Sequence, residues 1–248
     1  MDVTLAVVAG AAILIGTILQ RLSGTGVGLV VAPILTVLLG PVAGILVTNA
    51  TTVVSGILLL LSMRRDIEWR RYFAFLPGIL VGAVAASFVV RSAPASWLQI
   101  LIGAIVLAAL ATTFGLPRLP LVRSKALGPV TGAIGGFFNT SAGVAAPIMV
   151  INAKLSGWNQ KAFAATMQPT FMTMGIVSVV TKLSLGATSI SELPPVWMFG
   201  PVVVIVLGGI WIGGLLSMRV SSRTARNTAI TLAAMGGAAA LIRGLVSL

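Results

Sequence analysis

Apolar runs of helix length follow one another along nearly the whole chain, and they constrain the fold more than any motif does. Spanning the hydrocarbon core takes about 20 apolar residues in a helix. A backbone surrounded by lipid must also satisfy its own N–H and C=O groups. Six candidate spans meet the length requirement: Val42–Ser62, Tyr72–Val90, Trp97–Phe114, Lys161–Leu183, Pro195–Ser217 and Asn227–Val246. Hydrophobic residues make up 58% of the 248 positions and charged residues only 8%, where a soluble domain carries roughly a quarter charged. The sequence therefore predicts an all-α integral membrane protein.

Two further apolar regions do not fit single spans. Val3–Leu39 is too long for one helix and is interrupted at Ser23–Gly28, within "QRLSGTGVGLVVAPIL". Ala126–Asn152 is interrupted at Asn139–Gly143, which leaves two pieces of roughly a dozen residues, each about 18 Å long. Such pieces are too short to span singly and predict broken or re-entrant helix pairs. The G-x-G of the first break lacks the GK[ST] ending of a phosphate loop and has no strand before it, so a nucleotide site is excluded. The segment Val3–Gln20 has no basic n-region and runs directly into the glycines, so it reads as retained structure rather than a signal peptide.

The two interrupted regions match each other. With Pro33 set on Pro147, "GTGVGLVVAPIL" lies over "FNTSAGVAAPIM". Further on, "AGILVTNATTVVSGI" from Ala43 lies over "AFAATMQPTFMTMGI" from Ala162, pairing Asn49 with Gln168, Thr51 with Thr170 and Gly56 with Gly175. Gly78-x-x-x-Gly82 then corresponds to Gly209-x-x-x-Gly213. The chain reads as one membrane domain of two repeats, residues 1–115 and 126–248, joined by a linker at 116–125.

The basic residues orient these repeats. If each broken pair begins and ends on one side, three further spans follow in each half, and the second repeat is inverted. With the N-terminus outside, twelve of the sixteen Lys and Arg then face the cytoplasm. Arg64, Arg65, Arg70 and Arg71 lie in the first loop; Arg118, Arg123 and Lys125 in the linker; Lys154 and Lys161 in the third; Arg219, Arg223 and Arg226 in the last. Arg91, Lys182 and Arg243 fall outside, and Arg21 within the first broken pair. Trp97, Trp158 and Trp197 are placed as interface anchors. The net charge of +12 is thereby assigned to topology rather than to nucleic acid.

The absent residues narrow the chemistry. No cysteine or histidine occurs, which excludes disulfides, thiolate nucleophiles, Ser–His triads and the usual zinc and haem ligands. The four acidic residues, Asp2, Asp66, Glu68 and Glu192, lie near segment ends. The expected membrane interior holds no carboxylate, so the parts of a metal site, an acid/base enzyme or a carboxylate proton relay are missing. What remains suits an anion. A helix starting mid-membrane leaves its first N–H groups unpartnered and its positive dipole end facing the gap, and two such ends form an anion site without a charged side chain.

The candidate ligands are Thr25, Gly26 and Gly28 at the first break and Asn139, Thr140 and Ser141, as N-cap types, at the second. Asn49, Thr51, Thr52, Gln168 and Thr170 add uncharged polar groups inside spans, with the threonines also able to bond their own backbone. Arg21 is a candidate that could bind the anion or snorkel to an interface. Gly24, Pro33, Pro147 and Pro169 have structural roles, with Pro169 expected to kink its helix beside Gln168.

The glycine-rich break followed by proline, with "PVAGILVTNATTVVSGI" after it and the second copy "NTSAGVAAPIMV", resembles the sulfite exporter TauE/SafE-type permease family across essentially the whole chain. The resemblance implies transport of small sulfur-containing anions such as sulfite or organosulfonates across a plasma (bacterial inner) membrane. An alternating-access permease is the leading expectation and a passive anion channel of the same architecture the alternative. No cofactor is expected; a coupling ion, H+ or Na+, the direction of transport and the oligomeric state are carried by no motif.

Overall fold

The computed structural model describes residues 3–23, 27–115, 120–122, 124–189 and 199–248. Among them are ten α-helices and no strand. They are α1 (Val3–Ser23), α2 (Gly28–Leu39), α3 (Pro41–Met63), α4 (Trp69–Ser92), α5 (Ala95–Gly115), α6 (Leu127–Ala142), α7 (Ala146–Leu155), α8 (Gln160–Ser184), α9 (Phe199–Leu216) and α10 (Ser222–Val246). The six expected spans appear as α3, α4, α5, α8, α9 and α10, although Pro195 lies outside the described residues. Five helices, α1, α3, α4, α8 and α10, are long and apolar enough to cross a bilayer.

Both interrupted regions are broken as expected, with unequal pieces. α1 has 21 residues, enough for nearly a full span, while α2 has 12. In the second region α6 has 16 residues and α7 has 10. The break there is later than the sequence suggested. Asn139, Thr140 and Ser141 form the last turn of α6, and the chain leaves the helix at Gly143, whose φ of 70° is left-handed. Glycine adopts that conformation without a Cβ penalty, so it, rather than the polar triplet, terminates the helix. The N-cap position of α7 is Ala145, which makes no side-chain cap.

Small residues set the helix packing, as they do where lipid supplies no hydrophobic drive between helices. α4 lies against α6 so closely that a Cβ on Gly78 would sit 1.9 Å from the Pro129 carbonyl oxygen, and one on Gly82 would sit 2.0 Å from that of Ala133. α9 meets α1 through the corresponding glycines: Gly209 faces Thr17 and Gly213 faces the Arg21 stem. α3 and α8 cross reciprocally, with Gly56 against Gln168 and Met172, and Gly175 against Asn49 and Val53. α5 and α10 pair through Gly103 and Gly237.

Basic residues gather at one end of the bundle. Lys161 pairs with Asp66 at 3.0 Å, Arg71 with Glu68 at 2.8 Å, and the Arg71 guanidinium donates to Ser156 Oγ at 3.0 Å. The Val122 N–H donates to the Leu155 carbonyl, which ties the linker to the same end. Trp158 is not a lipid anchor: it is buried among Phe75 and Phe163, donates to Glu68 Oε1 at 2.9 Å and lies 4.4 Å beneath the Arg71 guanidinium. Its polar N–H thus finds a carboxylate instead of a headgroup. Trp97 is exposed, as an anchor should be, and Trp197 lies outside the described residues. At the opposite end Arg91 donates to the Leu185 carbonyl at 3.1 Å and Arg243 to that of Val37.

The α4–α6 seam has no room for a side chain, whereas a Cβ on Gly214 would meet nothing within 4 Å. Gly82→Leu is expected to destabilise the protein by about 1–3 kcal/mol or more, while Gly214→Ala leaves stability unchanged or slightly raised. Thermal unfolding in detergent would read both, and equal melting temperatures for the two variants would refute this packing.

Candidate functional site

The two breaks touch. A Cβ on Gly28 would lie 2.0 Å from the Gly143 carbonyl oxygen, and one on Gly143 would lie 2.8 Å from Ala32 Cβ. Gly28 opens α2 and Ala146 opens α7, and both line one small cavity of about 10 Å³ with Leu29, Thr52, Asn139, Gly143, Ala145 and Phe171. That volume holds about one water molecule. Neither N-cap residue, Val27 or Ala145, makes a side-chain cap. Val30 and Val31 donate to the Val27 carbonyl and Met149 to that of Ala145, and Pro147 has no N–H, which leaves the N–H groups of Ala146 and Ile148 at the start of α7 without an intrahelical carbonyl. Two positive dipole ends therefore meet within the bundle. Gly24, Thr25 and Gly26, assigned to the site from the sequence, lie outside the described residues.

A chain of buried amides runs from the gap into the half of the bundle away from the basic end. Asn139 Nδ2 donates to Asn49 Oδ1 at 3.1 Å, and Asn49 Nδ2 donates to Ser178 Oγ at 2.8 Å. All three residues are buried. Gln168 lies toward the basic end: its Oε1 accepts from Gln20 Nε2 at 3.2 Å, and its Nε2 donates to the Ala164 carbonyl at 2.9 Å. The repeat-matched pair Asn49 and Gln168 is therefore not one cluster but two.

The hydroxyls differ in what they can offer. Thr51 donates to the Val47 carbonyl at 2.8 Å, Thr52 to Thr48 at 2.9 Å, Thr170 to Thr166 at 2.8 Å and Ser141 to Phe137 at 2.7 Å. Each has spent its proton on its own helix, and what it turns outward is lone pairs, the wrong polarity for an anion. Thr140 Oγ1 is buried with no hydrogen-bond partner. The proline residues are buried within or at the start of α2, α7 and α8; Pro33 packs against Gly236 of α10, and α8 continues as one helix through Pro169.

Two larger cavities lead from the basic end. One, of about 420 Å³, is lined by Gln20, Arg21, Lys161 and Gln168 together with Leu59 and Met63 of α3. Arg21 is half-buried there in the last turn of α1, and it does not line the gap itself. The other, of about 580 Å³, is lined by Lys154, Trp158, Arg223 and Arg226 at its mouth and by Leu29, Ala146 and Pro147 at its deep end. It thus reaches the N-terminus of α7. Among the described residues, neither cavity is lined by a carboxylate. By contrast Ile45, Asn49, Ser178 and Lys182 are wholly or almost wholly buried on the other side of the gap.

These contacts include residues the sequence did not single out. Gly143 is a helix terminator recognisable from glycine after a helical run, but its contact with Gly28 needs the tertiary fold. Gln20 and Ser178 are polar residues inside apolar runs, the same signal that identified Asn49. Lys182, which the sequence reading puts outside with Arg91 and Arg243, is fully buried.

The whole of this arrangement falls within residues 8–240, which match the family model described as Sulfite exporter TauE/SafE. The chain belongs to that family. No curated protein and no solved structure gives a significant match. Membership in the sulfite exporter family makes the chain a multi-pass membrane permease for sulfur-containing anions, and a cavity that reaches Leu29 and Ala146 with no described carboxylate in its lining is consistent with that cargo.

Gly28→Ala is expected to push the breaks apart and destabilise the protein by about 1–3 kcal/mol, whereas Thr51→Val, at a hydroxyl bonded only within its own turn, costs below about 1 kcal/mol. Thermal unfolding compares them; an unperturbed Gly28→Ala would deny the contact.

Proposed function

We propose that the protein moves sulfite or a related small sulfur-containing anion by alternating access, with the anion held where α2 and α7 begin. The observation that carries the reading is that Gly28 and Ala146, the first residues of both helices, line the same gap. Free N–H groups and two dipole ends supply positive potential there without a charged side chain. Asn139 and Thr140 add donors, and the amides of Asn49 and Gln20 with Gln168 continue the path to either side.

Arg21, Lys154, Arg223 and Arg226 would draw the anion into the two cavities, as a basic, low-dielectric funnel does. The positive-inside rule makes the basic end cytoplasmic and the N-terminus external. The described conformation then corresponds to the inward-facing state, with its outer half packed shut around Asn49 and Ser178. Two inverted repeats account for the second state. In support, the helix contacts exchange between halves: α4 packs on α6 as α9 packs on α1, while α3 with α8 and α5 with α10 are self-paired. Exchanging the two packings would close the inner cavities and open mirror-related outer ones, as in other repeat-built transporters.

In vesicles of purified protein, sulfite or short-sulfonate flux should saturate and show counter-transport. Asn49→Ala and Gln168→Ala should each reduce flux by roughly tenfold, the scale of one hydrogen bond to a charged group. Wild-type flux in both variants would remove these side chains from the path, and flux without saturation or counter-transport would mark a channel.

A further inference from the structure

Lys182 is the one lysine that the described structure buries completely, and its ammonium has no hydrogen-bond partner there. Bilayer proteins keep few such groups, because an isolated buried charge is among the costliest features a fold can carry. Nothing in the helix packing requires it, and the common use of a lysine near a helix C-terminus, capping the last carbonyls, is already filled by backbone. The carbonyl of Lys182 itself accepts the N–H groups of Ala187 and Thr188, and that of Thr181 accepts from Leu185.

Its position gives it a second context. Gln168, Phe171, Gly175, Ser178 and Lys182 recur at three- and four-residue spacing, so they share one stripe of α8, and all are buried. Within that stripe Gln168 bonds Gln20, Gly175 lies against Asn49, and Ser178 accepts from Asn49. Lys182 is one turn beyond Ser178 on the line of polar groups that leaves the gap.

The repeat register supplies the independent observation. The offset that pairs Asn49 with Gln168 and Gly56 with Gly175 also pairs Leu59 with Ser178 and Met63 with Lys182. Leu59 and Met63 are the two α3 residues that line the 420 Å³ cavity at the basic end. We infer that Lys182, with Ser178, lines the corresponding cavity in the opposite half when that half opens, and that its ammonium is the anion's counter-charge there. This rests on the permease reading above. It predicts a two-sided asymmetry: arginine and lysine at the mouths of the inner cavities, and a single concealed lysine in the outer one. The anion leaving the helix N-termini would pass from Asn49 and Ser178 to Lys182 before reaching water.

The sequence makes the test clean, because it contains no cysteine. In liposomes holding the full chain, Lys182→Cys introduces the sole thiol. A membrane-impermeant thiol reagent should label it from the face opposite the basic loops, and sulfite should slow that labelling. In flux measurements Lys182→Met should raise KM for sulfite at least about tenfold, with kcat less affected, while Lys182→Arg stays within roughly threefold of wild type. A lysine that serves packing alone would not be rescued by arginine with the substrate dependence intact. Labelling solely from the basic face, no labelling from the opposite face under a sulfite gradient in either direction, or an unchanged KM in Lys182→Met overturns the assignment while leaving the permease standing. If Lys182→Met does not fold, the labelling and the arginine variant decide. Absence of sulfite and sulfonate flux in the wild type overturns both readings.

Discussion

The close approach of Gly28 to the Gly143 carbonyl is the contact on which the rest of the structure depends. Helices that stop inside a bilayer leave N–H and C=O groups that lipid cannot satisfy. Two interruptions placed apart would each carry that cost alone. Brought together, they share one gap, shielded by α3, α8 and the apolar cluster of Leu29, Ile45, Ile102, Val106 and Ala142. Glycine is needed at Gly28 for the approach and at Gly143 for the left-handed exit from α6, and no other residue type serves both the geometry and the space.

From that contact the remaining chemistry follows by exclusion as much as by construction. The described carboxylates, Asp66 and Glu68, are engaged at the basic end by Lys161, Arg71 and Trp158. Apart from the Lys182 ammonium, the interior polar side chains are amides and hydroxyls, and most threonine and serine protons are spent on their own helices. The N-terminal ends of α2 and α7 meet at the gap, beside the Asn139 amide that donates to Asn49, and the Thr140 hydroxyl is buried without a partner in the last turn of α6. On the proposed reading, it is these helix ends rather than a charged side chain that would hold the anion, through weak, distributed contacts that permit release.

Much of the fold was legible in the sequence because the bilayer allows few alternatives. Apolar length alone located α3, α4, α5, α8 and α10, since in lipid a run such as Val42–Ser62 has little choice but to be helix. The glycine-rich break before Pro33 and the second one before Pro147 were legible for the same reason, as irregularities in otherwise uniform apolar stretches. The site was legible only in part. Asn49 and Gln168 announced themselves as polar residues in apolar surroundings, but the partners that divide them into separate networks, Ser178 with Asn139 for one and Gln20 for the other, are 129, 90 and 148 residues away in the chain. The N-cap assignment of Asn139–Ser141 failed because a local rule favours polar residues at helix starts, while the left-handed Gly143 four residues on offered a better stop.

The sequence by itself determined that the chain lives in a membrane, that it is helical, where its spans lie, and that it has no thiol or imidazole to take part. These properties follow from residue type and spacing, which act locally. Only the tertiary structure decided that the two breaks meet, that Arg21 lines a cavity rather than the gap, that Trp158 turns inward to Glu68, and that Lys182 is sealed away from water. Each of those depends on which helix faces which, and in lipid that choice is made by glycine seams and long-range hydrogen bonds that no single span encodes.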